Sequence, residues 1–124
     1  MLNKTIAIEQ AKSFVKELIN IGLELNKVIV FGSTARDEMN ECSDIDLMLV
    51  SDRFSNNIFD NIKLYSKINI RYPDIETHPY STKYFNESDP FIEEIKRTGI
   101  EIMWWNNVWR EIWGNLFLIN LKCY

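Results

Sequence analysis

Lys27-Val28-Ile29-Val30-Phe31 constrains this chain more than any other stretch. It is short, β-branched and apolar on both faces, and it ends on the turn residues Gly32-Ser33. Such a run predicts a buried strand, because a strand covered on both sides shows no polar and apolar alternation. Asp44 to Val50 reads as a second strand whose far end is continuously apolar. Between the two, Thr34 to Met39 has the length of a short helix and Asn40 to Ser43 the polarity of a turn.

The flanks extend this unit. From Ile6 to about Leu25, Ala7, Ile8, Ala11, Phe14, Val15, Leu18, Ile19 and Gly22 recur at three- and four-residue steps among charged positions, which predicts an amphipathic helix. Ile58, Phe59, Ile62, Tyr65 and Ile68 fall on one face of a further helix, which Pro73 stops. Asp74 to Ser81 reads as a third strand, and Pro79 marks it as an edge or a strand end. Asp89-Pro90 has the chemistry of a helix start, Phe91, Ile92 and Ile95 of its buried face, and Gly99 of its stop; Ile100 to Ile102 suits one more short strand. Beyond residue 103 the composition changes. All four Trp lie between positions 104 and 113, and apolar pairs recur every four residues from Trp104/Trp105 to Leu116/Phe117, predicting a Trp-rich helical tail. That helix suits completion of the core as well as it suits a partner surface or a homo-oligomer contact, since aromatic residues dominate interfaces.

With 124 residues, 14 basic and 18 acidic side chains and a formal charge of −4, the chain reads as one soluble domain over residues 1–124. No Lys or Arg cluster favours nucleic acid, whose binding rests on neutralising phosphates. Cys42 and Cys123 have no metal-ligand spacing, the N-terminus has no apolar signal core, and no apolar run reaches membrane-spanning length. These features lead us to expect a reduced, cytoplasmic protein.

Chemistry concentrates after the first strand, where Gly32-Ser33-Thr34-Ala35-Arg36 is followed by Asp44-Ile45-Asp46. A Gly-Ser turn between a strand and a helix start lets a phosphate approach backbone N–H groups, a hydroxyl and a positive helix end. Asp44 and Asp46 are two apart in a strand, so their carboxylates leave the same face. Paired carboxylates hold Mg²⁺ together with substrate phosphates, and two metals generally want a third acid. Asp74 and Glu76 offer one from the third strand; Glu76, deeper in the strand, is the expected one and Asp74 the alternative. His78 reads as a structural residue beside Pro79, Lys63 and Lys83 as surface charge, and Cys42 as incidental to the nearby acids.

Together, Gly32-Ser33-x-Ala35-Arg36 and Ser43-Asp44-Ile45-Asp46-Leu47 resemble the minimal nucleotidyltransferases of the DNA polymerase β superfamily, over about residues 26 to 102. Ile75-Glu76-x-His78-Pro79-Tyr80 and Gly99-Ile100-Glu101-Ile102 are similar to a subgroup of these small proteins. The resemblance implies an α/β (α+β) fold with a small mixed sheet flanked by helices. It also implies a nucleoside triphosphate substrate, Mg²⁺, and nucleotidyl transfer with release of pyrophosphate. Gly32, Ser33 and Arg36 would then bind the nucleotide, Asp44 and Asp46 the metals, and Glu76 would be the third carboxylate, helping to deprotonate the acceptor. Where the family commonly has Gly after the motif Arg, this chain has Asp37, which adds a Cβ and a negative charge beside the phosphate site.

Three functions are compatible with these residues. An enzyme would move AMP from ATP to a hydroxyl, presented by another protein because so short a chain has no second domain to shape an acceptor site. Within the family this looks like the antitoxin of a toxin–antitoxin pair whose partner is a helical HEPN-type ribonuclease. The alternative is a catalytically weakened protein of the same fold that neutralises a partner by contact. An aminoglycoside nucleotidyltransferase is less favoured, since those normally carry an extra helical domain.

Overall fold

The computed structural model describes residues 3–40 and 43–103. Helix α1 spans Lys4–Asn20; the side chain of Asn3 caps it by accepting from the Ile6 amide, and Ala7, Ala11, Phe14, Val15 and Leu18 are buried at the spacing read from the sequence. It ends short of residue 25, because the chain turns at Gly22, whose φ is +94°. Leu23 and Leu25 lie beyond that turn and still join the core.

Four strands follow: β1 Lys27–Phe31, β2 Ile45–Ser51, β3 Ile75–Ser81 and β4 Ile100–Met103. They form one mixed sheet in the order β3-β2-β1-β4, with β2 and β4 antiparallel to β1 and β3 parallel to β2. Both central strands are covered on both faces, which explains their unbroken apolarity. Val28, Val30, Ile45, Leu47, Leu49 and Ile75 pack towards α1, with Tyr65 and Ile68 in the same cluster. Ile29, Phe31, Met48 and Val50 form the opposite cluster with Phe85, Ile92 and Ile95. Helix α4, Thr82–Glu87, supplies Phe85, and α5, Pro90–Thr98, supplies the two isoleucines. This is the mixed sheet flanked by helices expected from the sequence. Pro79 lies in β3, an edge strand, where its missing N–H leaves the sheet intact.

Three further local expectations need correction, and one helix was not expected. The helix expected from residue 58 is two short helices, α2 Ile58–Lys63 and α3 Ser66–Asn69, interrupted at Tyr65 with φ of −139°. The break lets the Tyr65 ring enter the core while its hydroxyl meets the Thr77 hydroxyl at 2.8 Å, and it leaves Ile58 and Phe59 exposed. Residues 34–39 form no helix: consecutive turns run to Asp37, whose φ of +58° no right-handed helix accommodates. Helix α4 had no expectation in the sequence; Ser81 caps it by accepting from the Tyr84 amide. In α5, Asp89 caps the start and Gly99 the end as read, but Phe91 is exposed, its ring edge-on to Phe31.

The Trp-rich tail and its proposed oligomer contact lie outside the described residues, as do Cys42 and Cys123. Among the described residues no helix is long and apolar enough to cross a membrane.

Candidate active site

The sheet register builds the site. Phe31, Asp46 and Glu76 are direct partners across β1, β2 and β3, so one row on the α5 side carries a ring and two carboxylates. His78, two residues after Glu76, shares that face by strand alternation. Its Nε2 lies 3.4 Å from Asp46 Oδ1 and 4.0 Å from Glu76 Oε1. The imidazole stands edge-on to Phe31, with ring centroids 4.9 Å apart. Asp46 and His78 are half-buried, whereas Glu76 is more exposed. Asp46, Glu76 and His78 are the group among the described residues whose ligand atoms come together, within 4.8 Å of one another.

Asp44 and Asp74 stand one residue before the first paired positions of β2 and β3, Ile45 and Ile75, and both are exposed; the Asp74 carbonyl accepts from the Ile45 amide. The four acids therefore lie at one end of the two strands, Asp44, Asp74 and Glu76 exposed and Asp46 half-buried.

Gly32 follows β1 directly beside this row. Its φ is +72°, and a Cβ there would overlap the Asp46 carboxylate, so a glycine is needed both for the turn and for the approach of the acid. The turn closes through Arg36 N–H to Gly32 O at 3.1 Å and Glu38 N–H to Ser33 O at 2.9 Å. Among the described residues, the amides of Ser33, Thr34 and Ala35 donate no hydrogen bond, and the fully buried Thr34 hydroxyl has no partner. Thr34 is fully buried, whereas Ser33 and Ala35 are half-buried, so the amides of those two beside the Gly turn are the ones that suit an anion. The helix end that the sequence led us to expect here is absent, so backbone amides alone would take that role.

Arg36 donates from Nε to Glu38 Oε1 at 2.7 Å and is exposed. Glu94 of α5 is held below the usual carboxylate range chiefly by its bonds to Arg97, and the charge of Arg36 adds to this, so Arg36 lies within electrostatic reach of α5. Asp37 turns its carboxylate to Lys4 Nζ at 3.1 Å, and its left-handed backbone is the conformation in which Gly is usual. Lys63 and Lys83 are exposed on α2 and α4.

His78 is the residue that sequence reasoning set aside. The signal was present, since the alternation that pairs Asp44 with Asp46 also pairs Glu76 with His78.

Residues 8–103 match the nucleotidyltransferase domain family. The chain belongs to that family. No curated protein matches it. Among solved structures, it is similar to a Sulfolobus solfataricus protein assigned to the nucleotidyltransferases, with a TM-score of 0.61 and 23% identity over 79% of this chain and 80% of that one. It is also similar to a toxin–antitoxin structure with AMP-PNP, with a TM-score of 0.54 and 13% identity over 89% of this chain and 92% of that one. At these identities the two likenesses speak for the nucleotidyltransferase fold. Members of the family generally use a divalent metal, and the carboxylates of Asp46 and Glu76, brought to neighbouring positions by the register, suit one.

Proposed function

We propose that this nucleotidyltransferase moves AMP from ATP to a hydroxyl on a partner protein, releasing pyrophosphate. The observation that carries the reading is the seating of the Asp46 carboxylate against Gly32, which joins the Gly-Ser turn to an acidic row at one end of the sheet. Ser33 and Ala35 would hold the triphosphate through backbone N–H groups, and the Ser33 hydroxyl and Arg36 would add contacts at the same turn. Asp44, Asp46 and Glu76 would hold Mg²⁺, which when bound neutralises charge on the triphosphate and favours in-line attack at the α-phosphorus. Glu76, more exposed than Asp46, would take the proton of the acceptor hydroxyl as the hydroxyl oxygen bonds to the α-phosphorus and the bond to the pyrophosphate oxygen breaks. Asp74 is the neighbouring carboxylate that would serve if Glu76 does not.

Because Asp37 is paired with Lys4, its charge is partly offset, which favours phosphate binding over a site emptied by repulsion. The acceptor is proposed to be a HEPN-type toxin, with this chain as the antitoxin of the pair in the cytoplasm. The fold similarity to a toxin–antitoxin structure with AMP-PNP supports that assignment.

Calorimetric titration of ATP with and without Mg²⁺ tests the site. We expect metal-dependent binding by the parent and at least a tenfold loss in the Asp44→Asn/Asp46→Asn variant with its fold intact, judged by circular dichroism. Partner neutralisation by that variant at parental strength, without nucleotide binding by the parent, would establish the contact-only alternative instead.

A further inference from the structure

We infer that the cavity at the open edge of β3, between α2 and α4, is an anchor subsite for the acceptor protein: it takes one uncharged aliphatic or aromatic side chain that flanks the acceptor hydroxyl. The inference deepens the proposed function and rests on it, because transfer to a protein hydroxyl is what gives the cavity an occupant.

The order of the sheet sets the position. Across β1, β2 and β3 the Gly-Ser turn, Asp46 and Glu76 follow one another, and the cavity lies beyond β3. In an in-line displacement the attacking and leaving oxygens sit on opposite sides of the phosphorus. With the pyrophosphate held towards the turn on β1, the acceptor approaches from the β3 side. The cavity begins there at His78, whose Nε2 is 3.4 Å from Asp46 Oδ1, and runs along the strand to Ser81. At about 3.3 Å per residue its far end lies roughly 10 Å from that histidine, a distance that suits a side chain next to the acceptor and not the acceptor itself.

Size and lining choose the occupant. The cavity holds about 250 Å³, below the roughly 300–1,000 Å³ of sites that enclose a small molecule, which leaves room for one side chain. Ile58, Tyr80 and Tyr84 give it apolar walls and Ser55 and Asn61 neutral polar ones; among the described residues no Asp, Glu, Lys or Arg lines it. A charged side chain would lose water there without gaining a partner. The walls are also set in advance. The Tyr80 and Tyr84 rings stack with centroids 5.5 Å apart, and the Tyr84 hydroxyl donates to Asp89 at 2.6 Å. The buried Asn61 side chain accepts from the Ser55 amide at 2.8 Å and donates to the Ser55 carbonyl at 2.9 Å. Filling a pocket whose walls are already ordered costs a partner less. Ile58 and Tyr84 in the wall, and Phe59 next along α2, are exposed, and apolar side chains grouped about a preformed pocket mark a protein contact.

The probe is N-acetyl-phenylalaninamide, compared with the N-acetyl amides of lysine and aspartate by ¹H–¹⁵N NMR of the tag-free protein without nucleotide. It should shift the backbone signals of Asn61, Tyr80 and Tyr84 and the ring signals of His78, the one histidine of the chain. The charged amides should shift them at least fivefold less at equal concentration. Ile58 is an exposed position in the first turn of α2, where an acid suits the helix. Ile58→Glu should weaken probe binding at least fivefold and leave Mg²⁺–ATP binding at parental affinity, whereas Ile58→Leu should retain both. The inference is overturned if the probe leaves those signals in place, if a charged amide or adenosine binds there as tightly, or if Ile58→Glu takes the probe like the parent. Because the probe is read without ATP, a parent that takes it but binds no nucleotide would overturn the proposed activity and leave the cavity's preference for an uncharged side chain standing.

Discussion

Gly32 shows how one missing side chain can hold a site together. Its positive φ lets the backbone leave β1 and turn towards the acids, and the absent Cβ leaves room for the Asp46 carboxylate. Gly32→Ala should therefore cost about 1–3 kcal/mol in urea unfolding and, by displacing Asp46, weaken Mg²⁺–ATP binding as well. Tyr65 carries the opposite kind of constraint, a polar tip taken into the core. Burial pushes its hydroxyl up to about 12, with the Thr77 bond acting weakly the other way. A folded value above the unfolded one gives stability that is complete below the ordinary value of 10 and is lost as pH rises through about 12. Relative to Tyr65→Phe, the parent should lose roughly 2–3 kcal/mol across that alkaline window, measured as a difference between the two urea stability curves.

Elements here are set by their ends as much as by their apolar faces. Asp89 accepts from the Ile92 amide at 2.8 Å and from the Tyr84 hydroxyl at 2.6 Å, so one carboxylate caps α5 and ties it to α4. The Tyr84 bond first, and the backbone bond second, hold that carboxyl below the usual range. Asp89→Ala should lower the midpoint of thermal or urea unfolding, whereas Asp89→Asn, which can still accept the backbone bond, should retain most of the cap. α5 was legible because Asp, Pro and Gly punctuate it. α4 was not, because its six residues carry one buried side chain, Phe85, and no periodic stripe. The interruption between α2 and α3 escaped for a different reason: Ile58, Phe59, Ile62, Tyr65 and Ile68 do satisfy a helical spacing, and only the demand to bury Tyr65 against Thr77 breaks it.

At the scale of the whole molecule, contacts between distant segments fasten α1 over the sheet. Glu17 receives the Tyr72 hydroxyl and pairs with Arg71, both in the connection that leads to β3. The Tyr72 bond, with Arg71 assisting, holds the Glu17 carboxyl below its ordinary value near 4.5. A depressed folded value gives stability that is present above the unfolded value and is lost as pH falls through the folded one. The parent should therefore become less stable from about pH 4.5 downward, and Glu17→Gln should show a flatter curve over the same acid range, starting from lower stability at neutral pH.

The sequence by itself determined the three longer strands, the two helices with clear caps or stripes, and the residue types of a Gly-Ser turn and an acidic row, because period and punctuation are local properties of the chain. The nucleotidyltransferase fold was implied by the resemblance that Gly32 to Arg36 and Ser43 to Leu47 carry. Only the tertiary structure decided the register that sets Asp46 level with Glu76, the pairing of Asp37 with Lys4, and the presence of His78 between the acids. Each of those is a distance between segments far apart in the chain, and a slip of one residue between β2 and β3 would have turned the side chains of the slipped strand to the other face.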